Sequence, residues 1–141
     1  CGSLHANTAQ ETVTRMINPP MSVPPIMLTG LDLIIIQARL HVNGKTARKI
    51  TEVAEIAGME GSKPRLNTIW KYNASTDQIE ETGIPSNLRE VICRAAGVTP
   101  DVFEKHVNQR QQIIEDLIAR DITDIQSVTT VIQNFYAQSH H

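Results

Sequence analysis

The chain has 141 residues, with 13 basic and 15 acidic side chains and a formal net charge of −2. This length suits one domain, or one domain with an appendage, and 40% hydrophobic residues are typical of a globular protein rather than a disordered one. The balanced charge argues against a dedicated nucleic-acid-binding protein. Two cysteines exclude a disulfide framework, and seven scattered glycines exclude a glycine-rich phosphate loop.

The first residue is Cys1 rather than Met, which predicts a processed or excised chain. Three interpretations are a mature lipoprotein anchored through Cys1, an intein, and a segment cut from a longer protein. The last is favoured, because helix-like sequence follows at once without a flexible tether, and the chain does not end in His-Asn as an intein does. Residues 139–141 are then interpreted as the remnant of an affinity tag. The longest apolar stretch, residues 26–36, is too short to span a bilayer.

The N-terminal segment, residues 1–30, predicts two short helices bracketed by prolines. Thr8, with Glu11 three residues later, has the spacing of a helix capping box. Residues 18–20, Asn-Pro-Pro, end that helix, because proline removes a backbone donor and disfavours helix before it. A second proline pair, residues 24–25, suits the first turn of another short helix.

Residues 31–83 predict a small antiparallel sheet made of two consecutive hairpins. Asn43 and Gly44, which tolerate positive φ, indicate a tight turn after the first strand. Gly58 is predicted to end the second strand, and residues 61–64 are predicted to form a polar loop. The four predicted strands cover residues 31–42, 48–57, 67–72 and 78–82.

Residues 84–138 predict a C-terminal helical bundle, since the apolar period changes to that of a helix. Gly97 closes the first helix, Pro100 lies in the first turn of a long second helix, and a third helix covers residues 124–137. The apolar stripes of the last two helices are predicted to pack on a core or on a neighbouring molecule. The third helix holds no Lys or Arg, which argues against a DNA-recognition helix. The predicted fold class is therefore α+β.

The charge is uneven along the chain. Residues 15–71 hold eight basic and four acidic groups, whereas residues 99–141 hold three basic and six acidic groups. Lys45, Arg48 and Lys49 cluster at the predicted first hairpin. Two interpretations stay open for this cluster: a solvated hairpin tip, or a contact to phosphate or to an acidic neighbouring subunit.

The triplet Gly44, Lys45, Thr46 has the form of the end of a phosphate-binding P-loop but fails the other requirements of that motif. The full motif needs a glycine five positions earlier, where this chain has Arg39, and it needs a strand-to-helix junction. The chain therefore has no P-loop of its own with which to cradle a nucleoside triphosphate.

His5 lies where a short segment runs into the first helix, and an imidazole there can donate to a phosphate oxygen or orient a water. The alternative is a histidine near a chain end that is structural or merely exposed, and both interpretations stay open. His41 and His106 do not stand at ligand spacing from another metal-ligating side chain, so no metal site is predicted.

Several segments share their order and spacing with a known family. Residues 3–7, Ser-Leu-His-Ala-Asn, followed by Val-Thr-Arg-Met at 13–16, look like a histidine box and the helix after it. The most specific segment is residues 23–39, which begins Val-Pro-Pro-Ile-Met and ends Ile-Ile-Ile-Gln-Ala-Arg. Further similarity lies in residues 53–56, 67–70 and 114–136. Together these segments resemble the type II/type IV secretion ATPase family, especially its archaeal flagellar and pilus-assembly branch.

The resemblance implies the C-terminal part of a RecA-like P-loop ATPase domain, cut immediately before the histidine box. It implies that His5 is the catalytic histidine-box residue near the γ-phosphate, where it couples ATP hydrolysis to subunit movement. It implies a nucleotide-binding or subunit-interface role for Ser3, Arg15, Lys45, Arg48 and Lys49. ATP and Mg²⁺ would be bound by the full-length parent and neither by this fragment alone. Because the fragment lacks the Walker A and Walker B motifs, we expect it to be inactive by itself.

The same resemblance implies a hexamer, a membrane platform protein of a secretion or pilus system as partner, and no nucleic-acid partner. It implies a cytoplasmic location, peripheral to the inner face of the cytoplasmic membrane. The alternative hypothesis is a stand-alone interaction module with no catalytic role, lipid-anchored through Cys1.

Overall fold

The computed structural model describes residues 1–42 and 44–139 and has the α+β fold class that the sequence predicts. The described residues form four α-helices, one 3₁₀ helix and a four-stranded antiparallel sheet. The chain divides into two compact units, Cys1–Val91 and the part from Ile92 onward. The elements in chain order are α1 (Ala9–Ile17), the 3₁₀ helix (Pro25–Gly30), β1 (Leu33–Val42), β2 (Lys45–Glu60), β3 (Lys63–Asn73), β4 (Gln78–Glu81), α2 (Asn87–Ala96), α3 (Pro100–Ala119) and α4 (Ile125–Ser139).

Local signals set the bounds of the first helices. The Thr8 hydroxyl oxygen accepts a hydrogen bond from the Glu11 N–H at 3.0 Å, which satisfies one of the free donors at the start of α1. Asn18 is the C-cap of α1, and the helix ends where the following prolines predict. Pro25 begins the 3₁₀ helix, as expected for a proline in a first turn.

The sheet has the strand order β1-β2-β3-β4, and every neighbouring pair is antiparallel. Side chains alternate between the two faces of β1, so Ile34 and Ile36 are buried whereas Leu33 and Ile35 are exposed. β1 is an edge strand, and its outer edge has no neighbouring strand among the described residues. On the buried face, α1 and the 3₁₀ helix close a core cluster of Ala9, Val13, Leu28, Ile34, Ile36 and Ala54.

The first hairpin forms as the sequence predicts. Val42 and Lys45 are paired across β1 and β2, and Gly44 between them has φ +76°. The predicted turn residue Asn43 lies outside the described residues. Because the turn is this tight, β2 begins at Lys45, three residues before the predicted start.

Two predicted boundaries in the sheet are wrong. β2 does not end at Gly58 but continues to Glu60, and Gly58 has φ +106° where the register of β2 and β3 shifts. Glycine favours a strand end in sequence, yet its freedom at positive φ is also what a bulge inside a long strand needs. β3 begins before the predicted residue 67, because Pro64, assigned to a loop, is buried and pairs with Met59.

Two glutamates of β2 accept the N-terminal donors of two helices. Glu52 Oε2 accepts from the N–H of Ala9, the first residue of α1, at 2.8 Å. Glu55 Oε2 accepts from the N–H of Asn87, the first residue of α2, at 2.8 Å, and the Ser86 hydroxyl donates to Glu55 Oε1. The two glutamates lie an odd number of residues apart and so point to opposite faces of the strand. One strand therefore anchors a helix start on each face of the sheet.

The unit from Ile92 onward contains the second half of α2 together with α3 and α4, but few of its described residues are buried. Gly97, with φ +65°, follows α2, and Pro100 begins α3. Among the described residues of this unit, Cys93 and Leu117 alone are buried. The exposed large apolar side chains include Val107, Ile114, Ile118, Ile125, Ile132 and Tyr136. The prediction of a bundle is therefore too strong, because these residues do not close an apolar core around the helices.

None of the described helices combines the length and the apolar character that a membrane crossing requires. The predicted tag remnant, residues 139–141, lies mostly outside the described residues. Ser139 is the last residue of α4, while His140 and His141 lie outside the described residues.

We expect Glu55→Gln to lower the free energy of unfolding by about 1–3 kcal/mol. Glu55 is 3% exposed, and the substitution places an amide against the donors of Ser86 and Asn87. Urea denaturation followed by circular dichroism measures the change. Glu60→Gln, at the exposed end of the same strand, is the matched control, with an expected change below about 0.5 kcal/mol. Equal losses in the two variants would contradict the anchoring role of Glu55.

Candidate functional site

A cleft of about 860 Å³ runs along the free edge of β1. One wall is formed by Leu31 and residues 33–39, and the other by residues 1–7 together with Thr12, Arg15 and Met16 of α1. None of the described residues that line the cleft is acidic. The polar and charged lining side chains are Ser3, His5, Asn7, Thr12, Arg15, Gln37 and Arg39. With cations and no carboxylates in its lining, the cleft suits an anionic group.

Glu11 holds the N-terminal wall of the cleft in place. Its Oε2 accepts from the backbone N–H of Asn7 at 2.8 Å and from the Asn7 side-chain amide at 3.1 Å. Its Oε1 accepts from Arg15 Nε at 2.8 Å. The Asn7 backbone hydrogen bond, followed by the contact with Arg15, holds the pKa of the Glu11 carboxyl below its ordinary value. One carboxylate thus fixes the chain two residues after His5 and a guanidinium that lines the cleft.

Three of the predicted site residues line this cleft. Ser3 and His5 reach it from the extended N-terminal segment, and Arg15 reaches it from the last turn of α1. All three are exposed, so each is accessible to a molecule that enters the cleft.

The other three predicted residues do not line the cleft. Lys49 Nζ lies 2.5 Å from Asp77 Oδ1, and the Tyr72 hydroxyl donates to the same carboxylate at 2.6 Å. Lys49, and after it Tyr72, lower the pKa of Asp77, while the hydrogen bond to Asp77 raises the pKa of Tyr72. Lys49 is therefore engaged in an ion pair, whereas Lys45 and Arg48 are exposed on the first hairpin.

Two residues at this site, Arg39 and Glu11, carry no functional signal in the sequence. Arg39 stands out in sequence only as the residue that breaks the P-loop pattern, although alternation along β1 already places it on the exposed face beside Gln37. Glu11 stands out only as a capping residue. The standard capping box directs that carboxylate to the N–H of the N-cap residue Thr8, whereas here it accepts from Asn7, one residue earlier.

The cleft does not supply a metal site. Within the described part of the chain, no group of three or more His, Cys, Asp or Glu side chains could hold a metal ion. The Mg²⁺ that the family resemblance implies therefore finds no ligand set here, and no chemical step is assigned to it. Phosphate oxygens, by contrast, would find donors in His5, Arg15 and Arg39.

The sequence matches no protein-family profile. It is similar to uncharacterized proteins of Methanocaldococcus jannaschii. MJ0781 is 36% identical over 136 residues, which cover 95% of this chain and 19% of MJ0781. MJ0900 is 27% identical over 141 residues, covering 95% of this chain and 25% of MJ0900, and MJ1287 is 25% identical over 117 residues, covering 82% and 43%. The chain spans less than half the length of each of these relatives.

We expect Glu11→Gln to release the N-terminal wall of the cleft, because the neutral amide is a weaker acceptor for Asn7 and Arg15. A carboxyl whose pKa is lowered by folding contributes stability above its unfolded pKa and loses it as the pH falls through its folded pKa. In the native chain the Asn7 amide proton should therefore shift in acid, with a midpoint below the ordinary value for glutamate. NMR spectra recorded along a pH titration measure this shift.

The matched control for this titration is Glu60→Gln, which removes one exposed carboxylate from the far end of β2. It should leave the Asn7 amide resonance unchanged at every pH. At neutral pH, Glu11→Gln should already show the Asn7 resonance of the acid form. An Asn7 amide that is insensitive to Glu11→Gln would exclude the proposed hold on the N-terminal segment.

Proposed function

We propose that this chain is the C-terminal part of a RecA-like P-loop ATPase domain, from a hexameric secretion or archaellum/pilus-assembly ATPase of the type II/type IV secretion family. In this proposal His5 is the histidine-box residue, which contacts the γ-phosphate and couples ATP hydrolysis to subunit movement. The observation that carries the proposal is the cleft that Ser3, His5 and Arg15 line beside the free edge of β1.

The chemistry of the cleft supports this role. Phosphoryl transfer depends mainly on positioning and on stabilisation of charge, rather than on covalent chemistry by the protein. Arg15 and Arg39 supply guanidinium groups and His5 supplies an imidazole donor. His5 is exposed in the cleft, where a phosphate oxygen can approach it.

Contacts between the cleft and the sheet support a mechanical role. His5 is followed by Asn7, whose backbone N–H donates to Glu11 of α1. The first residue of α1, Ala9, donates its N–H to Glu52 of β2. A displacement of His5 toward a phosphate would therefore be transmitted to the sheet through the contacts that Glu11 and Glu52 make. Rigid-body shifts of this kind are a common means of switching between conformations.

The proposal assigns the main nucleotide-binding machinery to a part of the protein outside this chain. The sequence holds no P-loop, and the relatives are more than twice as long as the region they share with it. The free edge of β1 offers a place where strands of such a domain can add. We therefore expect the longer protein to bind ATP and Mg²⁺, and this chain alone to bind neither and not to hydrolyse ATP. The proposed partners are further subunits of a hexamer and a membrane platform protein at the inner face of the cytoplasmic membrane.

The reading frame upstream of Cys1 tests this proposal directly. About 150 codons, roughly one domain, should encode the motif G-x-x-x-x-G-K-[ST] at the end of a predicted strand and before a helix. Sequencing of the natural gene gives the answer. If that region encodes no such motif, the chain is not part of a P-loop ATPase.

In the full-length natural protein, we expect His5→Ala to lower ATP turnover by roughly 10²-fold, the usual effect of losing one donor to a developing negative charge. Nucleotide affinity should change little, because the γ-phosphate contact matters most in the transition state. Steady-state ATPase rates and equilibrium nucleotide binding are measured on the same preparations. His106→Ala, which removes an exposed imidazole from α3, is the control and should leave both unchanged. Equal losses of binding and turnover would make His5 a structural residue.

A further inference from the structure

Arg39 of β1 stands directly opposite Arg48 of β2 in the register of the first hairpin. Directly opposed residues of antiparallel strands share a face of the sheet, and both arginines are exposed. Two like charges in this arrangement destabilise a strand pair. Since the pairing costs stability, a compensating interaction is expected.

Neither arginine is neutralised within the part of the chain that the structure describes. Among the described residues, none forms a side-chain hydrogen bond or an ion pair with the guanidinium of either arginine. The neighbouring cations differ in this respect, because Lys49 is paired with Asp77 and Arg15 is paired with Glu11. The two opposed guanidiniums, like the exposed Lys45 near the turn, therefore have no ion-pair partner among the described residues.

The neighbouring pairs on the same face contain no carboxylate. Gln37 opposes Ile50 on one side of the two arginines, and His41 opposes Thr46 on the other, with His41 Nδ1 3.3 Å from Thr46 Oγ1. The acidic residue of β2 that shares this face is Glu55, roughly 20 Å along the strand and bound by the start of α2. No carboxylate of this hairpin therefore lies beside the two arginines.

We propose that Arg39 and Arg48 form a binding site for phosphate, in particular for the linked phosphates of a diphosphate or polyphosphate group. Each guanidinium presents a planar fork of N–H donors that matches two phosphate oxygens. Opposed Cβ atoms in a sheet lie about 4.5–5.5 Å apart, so the two forks can bind one phosphate or two linked ones. His41 and Thr46 flank the pair with further polar groups. A bound phosphate turns the repulsion between the two cations into a shared attraction.

This site borders the cleft but follows from a separate observation. Arg39 lines the cleft that contains His5, while Arg48 does not. The inference does not rest on the proposed function, because it uses only the register and the charges of the first hairpin. Arg48 is predicted from sequence as a nucleotide or interface residue, whereas Arg39 has no predicted role, and their pairing in one site is visible only in the register of β1 and β2.

Titration of the 141-residue chain with inorganic pyrophosphate at constant low ionic strength tests the proposal. The native chain should bind pyrophosphate in a calorimetric titration, and Arg39→Gln and Arg48→Gln should each weaken the affinity by at least about tenfold. Without pyrophosphate, both variants should melt at the same temperature as the native chain or higher, because each relieves a repulsion. With pyrophosphate, the melting temperature of the native chain should rise. That of the double variant, which combines Arg39→Gln and Arg48→Gln, should not.

The matched control combines Lys63→Gln with Arg94→Gln. It also removes two positive charges, but from exposed positions away from the first hairpin. This control should bind pyrophosphate within about twofold of the native chain, apart from weak screening effects. If the control and the double variant lose affinity for pyrophosphate equally, the binding depends only on the net charge of the protein, and the proposal is overturned. The absence of pyrophosphate binding, or binding of an acidic peptide in its place, would also overturn it.

Two further titrations distinguish the source of the phosphate. If ATP displaces pyrophosphate from the native chain, the natural ligand is the polyphosphate group of a nucleotide. Cosedimentation with vesicles of phosphatidylglycerol, but not with vesicles of phosphatidylcholine alone, identifies an anionic lipid headgroup. In either case the interaction must be lost in the double variant and kept in the control. These outcomes are separate from the His5→Ala test, because no ATP turnover is measured.

Discussion

The interaction on which the first unit depends is the acceptance of helix N-terminal donors by carboxylates of one strand. An unpaired backbone N–H that is buried costs about as much as a lost hydrogen bond, and the partial positive charge of a helix start favours a nearby anion. Glu52 and Glu55 meet both needs, on opposite faces of β2. The cleft follows from this arrangement, because α1, fixed by Glu52, carries the N-terminal segment along the edge of β1.

Several carboxylates of this unit already accept hydrogen bonds or form ion pairs within the chain. Glu11 accepts from Asn7 and Arg15, and Asp77 binds Lys49 and Tyr72. The glutamates of β2 that anchor the helices are likewise saturated with donors from the chain itself. Arg15 and Lys49 are therefore already paired, whereas Arg39 and Arg48 have no ion-pair partner among the described residues, so an entering anion can bind these two arginines without breaking an ion pair.

Much of this architecture could be predicted where the signal is local. Thr8 capping α1, the tight turn at Gly44 and the helix end at Gly97 each depend on residues adjacent in sequence, and all agree with the structure. Gly58 misled the prediction because glycine suits both a strand end and a bulge, and only the pairing with β3 decides between them.

Other features had no signal in sequence because they depend on contacts between distant parts of the chain. Glu52 accepts a hydrogen bond from the N–H of Ala9, which lies 43 residues earlier in the chain, and no periodic pattern in the sequence predicts that contact. The apolar stripes of α3 and α4 correctly predicted helices, yet periodicity alone does not say whether the stripe finds a partner within the same chain. The residues of the cleft were identified one by one, whereas their convergence on the edge of β1 depends on how α1 is anchored.

The open edge of β1 has a consequence for handling the protein. Residues 33–36, Leu-Ile-Ile-Ile, form a strongly β-prone run, and an edge strand with unpaired backbone groups is a template for adding strands from other molecules. Residues 1–7 flank this edge and form the opposite wall of the cleft. Trimming those seven residues would leave the run unshielded, so a shortened chain would favour strand-to-strand aggregation. In the structure, residues 1–7 therefore restrict access to this edge in addition to forming a wall of the cleft.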